Sequence, residues 1–277
     1  MKSLQEYINE SESKTDLSTN KVQPKTKDEL KEIIKDTFEH KQYDLNFINT
    51  SEITDMSKLF MNCKYDFDIS EWDVSNVTDM NHMFYDCDNF NCDLSKWNVS
   101  KVVTMFSTFS SCKKFKGKGL ENWDVSAVTD MHYMFYKCKT FNCDLSNWDV
   151  SNVTNMSHIF FYCENFDINC FKSWDVSNVE NTSYMFYNCK NFDCDLSNWD
   201  VSNVTDMTSM FAFCNKFDCD LSNWDVSNVT YMYFMFGRCK QFNCDLSHWN
   251  TSKIKNMKCM FKGCNRLTIP NWYKYYK

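Results

Sequence analysis

The chain has 277 residues and a formal net charge of −7. This charge argues against a nucleic acid partner, because phosphate binding needs a basic surface. No run of about 18 apolar residues occurs, so membrane insertion is not expected. No secretory signal with an apolar core of about 7–15 residues is seen. We therefore expect a cytoplasmic protein, in a host or producing cell, with a virion as the alternative location.

Residues 1–25 are polar and are expected to form a disordered leader and linker. Within them, Met1-Lys2, Glu6-Tyr7-Ile8 and Glu10 resemble the capsid-targeting leader on internal proteins of T-even-like phages. Such leaders are cut after a Leu/Ile-x-Glu triplet, and residues 8–10 fit that pattern. The resemblance implies a phage capsid as partner. The alternative is an ordinary frayed terminus.

Residues 26–44 are predicted to form an N-terminal cap built on one helix at 26–40. Thr26 and Glu29 have the spacing of a capping box. Apolar residues then recur at helical spacing: Leu30, Ile33, Ile34 and Phe38. This apolar face is expected to cover the open end of the first repeat, since terminal repeats need caps.

Residues 45–277 are dominated by one repeated unit and a C-terminal cap. The unit reads L-x-x-W-D-V-S-N-V-T-x-M-x-x-M-F-x-x-C-x-x-F with small variations, and about nine copies follow one another near every 25 residues. A fixed period of this size is typical of a stacked solenoid. The recurring Asn after the Ser is expected to bond the backbone of the next coil. Each T-x-M-x-x-M-F segment is expected to form a short helical turn.

The phrase W-D-V-S-N-V-T-D-M, followed by M-F-x-x-C, resembles the BspA-like leucine-rich repeats over residues 45–272. The resemblance implies a curved parallel-sheet solenoid used for protein contacts. The prediction is therefore an α/β repeat solenoid of right-handed, leucine-rich-repeat-like coils. One parallel β-sheet face would be formed by the L-x-x-W-x-V segments, with the short helical turns opposite and a helical N-terminal cap.

The candidate site lies on the predicted sheet face. In W-D-V-S the Trp and Val should point inward, so the Asp and Ser should point outward. The partner-binding candidates are Asp73, Asp124, Asp149, Asp175, Asp200 and Asp225, with Ser126, Ser151, Ser177, Ser202 and Ser227. Carboxylates one coil apart would repel by about 1 kcal/mol in water. Raised pKa values or a cationic partner could relieve this repulsion, and we predict a partner that supplies Lys or Arg. The alternative is a solvated face.

The function expected from these features is non-catalytic protein binding to a partner with a basic surface. The alternative function is a packaged or structural phage component with a cleavable leader. No nucleophile elbow, phosphate loop or dinucleotide motif occurs, so neither enzymatic activity nor a cofactor is expected.

The sixteen cysteines form columns in the repeat without any C-x-x-C pair, so a zinc site is not expected. Without an export signal the thiols should stay reduced. We expect them to be buried and to act as small apolar core residues.

Overall fold

A computed structural model describes residues 21–166 and 171–274. The predicted leader and its cleavage triplet at 8–10 lie outside the described residues. The chain joins the fold before its first helix, because the backbone of Val22 pairs with the Phe47 carbonyl and the Asn49 N–H at 3.0 and 2.7 Å. Residues 21 and 22 are thus part of the first repeat rather than of a linker.

Helix α1 spans Lys27–Glu39, as the capping and apolar pattern predicts. The Thr26 hydroxyl accepts the Glu29 N–H at 3.2 Å, and the Glu29 carboxylate accepts the Lys25 N–H at 2.8 Å. These bonds satisfy donors that a helix start leaves free. Leu30, Ile33 and Ile34 are buried. The apolar face of α1 therefore belongs to the core.

The predicted parallel sheet was wrong. In the part of the chain that the structure describes, successive repeats share only isolated single-residue parallel bridges, such as Asn155–Asn181, and no strand forms. The L-x-x-W and V-x-x-V segments are tight turns instead. The Trp148 N–H donates to the Leu145 carbonyl at 3.1 Å, and Val153 donates to Val150 at 2.9 Å. A segment that bonds to itself at i+3 cannot offer the same N–H to a neighbouring strand.

The predicted helical turns opposite the sheet were also wrong. Beyond α1, the described residues contain only one further helical segment, a 3₁₀ turn at Leu120–Asn122. The T-x-M-x-x-M-F-x-x-C segments form the ladder that joins one repeat to the next, and each repeat is called a coil below. In one coil, alternate N–H groups donate to the following coil, namely Met156, His158, Phe160 and Tyr162 to Asn181, Ser183, Met185 and Tyr187, at 2.8–3.0 Å. The intervening N–H groups bond within their own coil, as Phe161 does to His158 at 3.1 Å.

This ladder depends on left-handed backbone at two positions in each coil. His158 and Tyr162 have φ values of 59° and 60°, and the same two positions are left-handed in the other coils from Lys58 to Gly263. A non-glycine residue in this region costs on the order of 1–2 kcal/mol. The inter-coil hydrogen bonds made at both positions offset that cost. The conformation is therefore a property of the stacked array rather than of the local sequence.

The core consists of columns in which like residues from successive coils meet. Each indole N–H donates to the backbone of the preceding coil, as Trp148 Nε1 does to the Leu120 carbonyl at 2.8 Å. Phe135 and Phe160 stack with ring centroids 5.6 Å apart. Burying each coil therefore depends on the coil before it, which is how repeat arrays gain stability.

The cysteines have a more specific role than the predicted apolar one. Cys138 is fully buried, and its thiol contacts the Phe109 carbonyl with a sulfur–oxygen distance of 2.9 Å. The same bond recurs along a column of free thiols: Cys87, Cys112, Cys138, Cys163, Cys189, Cys214, Cys239 and Cys264. The thiol donates a hydrogen bond to this carbonyl, and an alanine at the same position could not. Burial of these thiols is confirmed.

Candidate protein-binding surface

The Asp and Ser of W-D-V-S form a turn at one corner of each coil. Asp149 Oδ1 accepts the Ser151 N–H at 3.0 Å and the Ser151 hydroxyl at 2.6 Å. The backbone part of this bond recurs at every predicted Asp: Asp73, Asp124, Asp175, Asp200 and Asp225. All six Asp side chains are exposed, and the predicted Ser side chains are half-buried. The structure thus places the candidate residues along one exposed corner of successive coils, which is not a sheet face.

Local hydrogen bonds favour the charged form of the corner carboxylates. The Ser126 hydroxyl, followed by its backbone N–H, lowers the pKa of Asp124, and Ser177 and Ser227 act in the same way on Asp175 and Asp225. Raised pKa values, the alternative to a cationic partner, therefore do not occur at these three groups. A carboxylate that accepts local hydrogen bonds is stabilised in its charged form. The corner carries negative charge at neutral pH.

The interchange of Asp and Asn in this column also has a local explanation. Asn98 Oδ1 accepts the Ser100 N–H at 3.1 Å, as an Asp would. The same turn closes two further corners of the coil, where Asp144 accepts from Ser146 at 2.9 Å and Asn155 accepts from Ser157 at 3.0 Å. Sequence reasoning did not recognise these corners. Asp or Asn supplies this acceptor at most corners, although Thr104 and Tyr231 occupy the position equivalent to Asn155 in two coils. Because the turn itself accounts for the Asp column, the column alone does not indicate a ligand.

A shallow groove of about 730 Å³ runs beside the Asp corner of the central coils. It is lined by Asn152, Thr154, Asn178, Glu180, Asn203, Thr205 and Asn228. Each Asn donates its Nδ2 to the preceding coil, as Asn178 does to the Ser151 carbonyl at 2.7 Å. The predicted bond from this Asn to the backbone of another coil is present, but the prediction of the next coil was wrong, since the acceptor lies in the preceding one.

The Oδ1 atoms of these Asn side chains have different surroundings in the central and the flanking coils. In the flanking coils Lys101 Nζ donates to Asn76 Oδ1 at 2.7 Å, and Lys253 Nζ donates to Asn228 Oδ1 at 2.6 Å. Within residues 21–166 and 171–274, no donor reaches Oδ1 of Asn152, Asn178 or Asn203. The central groove therefore presents a row of exposed carbonyl oxygens beside a row of carboxylates.

Sequence reasoning missed a strip of aromatic side chains on the ladder segment. His158 stacks between Tyr133 and Tyr184 at centroid distances of 4.3 and 4.6 Å, and Phe161 stacks on Tyr187 at 4.7 Å. These side chains are half-buried. Burial lowers the pKa of His158 to about 4. The signal was the aromatic residue that several units have just before the Met or Ile preceding the conserved Phe, within the segment predicted to form a short helical turn.

The described residues contain neither a metal-binding cluster nor a membrane-spanning helix. No cluster of three or more His, Cys, Asp or Glu side chains suited to holding a metal ion occurs there. No helix in that part of the chain has the length and apolar character needed to span a membrane.

Comparison with known proteins identifies the family. The family model "Mycoplasma protein of unknown function, DUF285" matches residues 28–119, 105–212 and 190–273. The chain belongs to the DUF285 family. The three successive matches agree with a DUF285 protein built from repeats.

Other comparisons add little to this DUF285 assignment. A structure described as "Crystal structure of TLR13-ssRNA13 complex" is 12% identical over 82% of this chain and 33% of that chain, with a TM-score of 0.29. A score this low carries no argument. A search of curated proteins finds no match. The resemblances to BspA-like repeats and to a capsid-targeting leader stay predictions.

Proposed function

We propose that this DUF285 protein is a non-catalytic protein-binding scaffold. Its central coils would receive lysine or arginine side chains of a basic partner in the Asn groove beside the Asp corner. The central binding residues are Asp149, Asp175 and Asp200, with Asn152, Asn178 and Asn203.

The main support for the proposal is Lys253. In a flanking coil, this lysine of the chain itself occupies the position where the partner's lysine would lie in the central coils. Its ammonium donates to Asn228 Oδ1 at 2.6 Å. The pKa of Asp225 is lowered mainly by the two hydrogen bonds from Ser227, and the charge of Lys253 lowers it further. An ammonium is thus accommodated by the Asp and Asn of one coil corner. The central coils have the same Asp and Asn but no lysine of their own.

Charge supports the same partner chemistry. The central corners combine exposed carboxylates with exposed carboxamide oxygens, and both groups only accept hydrogen bonds from a cation. Complementary charge of this kind raises association rate and specificity more than affinity. Binding should therefore weaken steeply as salt rises.

The proposal can be tested by placing lysines of the chain itself in the groove. Asn178→Lys combined with Asn203→Lys places ammonium groups where Lys101 and Lys253 already occur in other coils, so folding should be preserved. The matched control is Asn198→Lys combined with Asn223→Lys, which adds the same charge at the coil position that Lys96 occupies naturally. The probe is fluorescein-labelled octalysine, titrated with the full chain at low salt and followed by anisotropy.

We expect the groove variant to bind octalysine about tenfold more weakly than the parent and the control to change by no more than about threefold. Equal weakening in both variants would show that only net charge matters. Unchanged binding in the groove variant would show that the groove is not the site. Thermal denaturation of each variant establishes that it is folded.

A further inference from the structure

The two coils that precede the central groove are rich in lysine. The coil at 94–119 contains six Lys and no Asp or Glu, in a chain of net charge −7. The next coil adds Lys137 and Lys139. Most of these lysines are engaged within the chain, as Lys113 and Lys118 are with carboxylates of the preceding coil at 2.9 and 2.6 Å. The positive charge that is left over is concentrated in three side chains.

These three, Lys114, Lys116 and Lys137, form a surface called the basic patch below. All are exposed, and none has an ion-pair partner in the part of the chain that the structure describes. The two coils that carry them touch here, because the Thr140 hydroxyl donates to two carbonyls of the 113–115 segment at 3.0 and 3.2 Å. The basic patch therefore offers ammonium groups from two adjacent coils.

The basic patch complements the central groove. The groove presents carboxylates and the open Oδ1 atoms of Asn152, Asn178 and Asn203, all of which accept hydrogen bonds from a cation. The patch follows the Cys of its coils, whereas the groove follows the Trp of later coils, with a ladder segment between them in the chain. Because the stacked array holds the two surfaces apart, they meet only between two copies of the chain.

The spacing of the charges also favours a second copy. The patch and the groove both take their side chains from successive coils, and these coils are joined by the same ladder. Adjacent hydrogen-bonded backbone segments lie about 4.8 Å apart, whereas side chains on one face of an extended peptide recur about every 6.6 Å. A second copy thus matches the coil spacing of the groove, and an extended basic peptide does not.

We propose that the basic partner of the central groove is a second copy of this chain. The basic patch of one copy enters the groove of the other, and its ammonium groups donate to the open Oδ1 atoms and face the corner carboxylates. This inference rests on the proposed function, because it uses the same groove. The contact joins two different surfaces, so each copy in a pair keeps one groove or one patch free. Association of this kind continues to larger assemblies as concentration rises.

The experiment is sedimentation velocity on the full chain at low salt over a range of concentrations. The mean mass of the parent should rise beyond that of a dimer and fall when salt is added. The patch variant changes three residues to Gln: Lys114→Gln, Lys116→Gln and Lys137→Gln. The groove variant is Asn178→Lys combined with Asn203→Lys. Each variant alone should self-associate about tenfold more weakly than the parent.

An equimolar mixture of the two variants gives the sharpest result. The patch variant keeps an intact groove and the groove variant keeps an intact patch, so the mixture should form a one-to-one pair and stop there. The matched control removes three exposed charges from the N-terminal cap and should self-associate as the parent does: Lys31→Gln, Lys35→Gln and Lys41→Gln. Thermal denaturation establishes that each variant is folded.

The outcomes separate this inference from the proposed function. A parent that stays monomeric at low salt but binds octalysine would overturn the second-copy partner and leave the proposed function standing. A parent that does not bind octalysine would overturn both. Unchanged self-association of the patch variant, a mixture that forms no pair, or equal weakening in the cap control would each show that the patch does not enter the groove. The patch variant should still bind octalysine as the parent does, because its groove is untouched.

Discussion

The tryptophan column allows a graded test of how the array is stabilised. Trp148 is 2% exposed, its Nε1 donates to the Leu120 carbonyl at 2.8 Å, and its ring stacks on Trp174 at 6.5 Å. Trp148→Ala removes the ring and the bond together. We expect a loss of about 3–5 kcal/mol in the free energy of unfolding, the usual result of truncating a buried aromatic residue.

The indole hydrogen bond should account for only a small part of this loss. The Leu120 carbonyl also accepts the Trp123 N–H at 3.1 Å, so it keeps one partner when the indole is removed. Trp148→Phe, which retains most of the ring, should therefore cost less than Trp148→Ala. The lost bond itself is worth about 1 kcal/mol, and the smaller ring adds a further packing loss.

The assay is urea denaturation followed by far-ultraviolet circular dichroism, with two reference positions. Trp199→Ala should match Trp148→Ala, because Trp199 is 4% exposed and bonds the Phe171 carbonyl at 2.9 Å. Trp272→Ala should cost less than about 2 kcal/mol, since Trp272 is only half-buried on the last coil. If Trp148→Ala leaves the unfolding curve unchanged, or if Trp272→Ala is the most damaging variant, the inward column is not what stabilises the array.

Three further predictions concern charge and titration. His158 has a pKa of about 4 when folded, because of burial, so unfolding free energy should fall as pH drops from about 6.5 towards 4, by at most about 2 kcal/mol at pH 5. The unfolding free energy of His158→Phe should fall less than that of the parent between pH 7 and 5. An equal fall would show that titration of His158 is not its cause. Burial raises the pKa of Cys219 to about 11, so stability should be full below about pH 9 and decline as pH rises towards 11. The stability of Cys219→Ala, measured by urea denaturation at the same pH values, should decline less than that of the parent. Changing Asp149, Asp175 and Asp200 together to Asn should alter unfolding free energy by no more than about 0.5 kcal/mol per site, because Asn98 closes the same turn, and a larger loss would show that charge is required there.

The spacing of apolar residues was sufficient to predict which side chains form the core. The Trp, Phe and Cys columns are buried, and α1 forms where capping and periodicity placed it. Hydrophobic periodicity reports which side chains point inward. It does not report where the backbone N–H groups donate. The L-x-x-W-x-V pattern fits an alternating strand and also fits a tight turn followed by an extended pair, so the sheet assignment failed.

The ladder was hidden for a different reason. A left-handed backbone is usually indicated by glycine, and this chain has only four glycines. The ladder positions are instead filled by residues such as Lys58, Tyr133 and Phe234, with φ values of 58°, 60° and 55°. These three residue types do not indicate a left-handed conformation, although Asn62, His82 and Asp86 at other ladder positions are of types in which it is more frequent. Only the hydrogen bonds to the next coil, which are not local in sequence, account for it.

The position that follows the corner Ser is where a function can be read from the variation between coils. Corner Asp, Asn and Ser recur because each coil needs the same turn, so their recurrence reports folding. At the next position the chain has Lys101, Ala127, Asn152 and Lys253 in different coils, although the turn is the same. The fold therefore accepts lysine here, and lysine would neutralise the neighbouring corner. Because positions 178, 203 and 228 have Asn instead of Lys, the carboxylates and the Oδ1 atoms of Asn152, Asn178 and Asn203 are open together in consecutive coils. Folding favours Asn at this position, because each of these residues donates its Nδ2 to the preceding coil. The open amide oxygens are not needed for that bond, and the proposed external cation would use them.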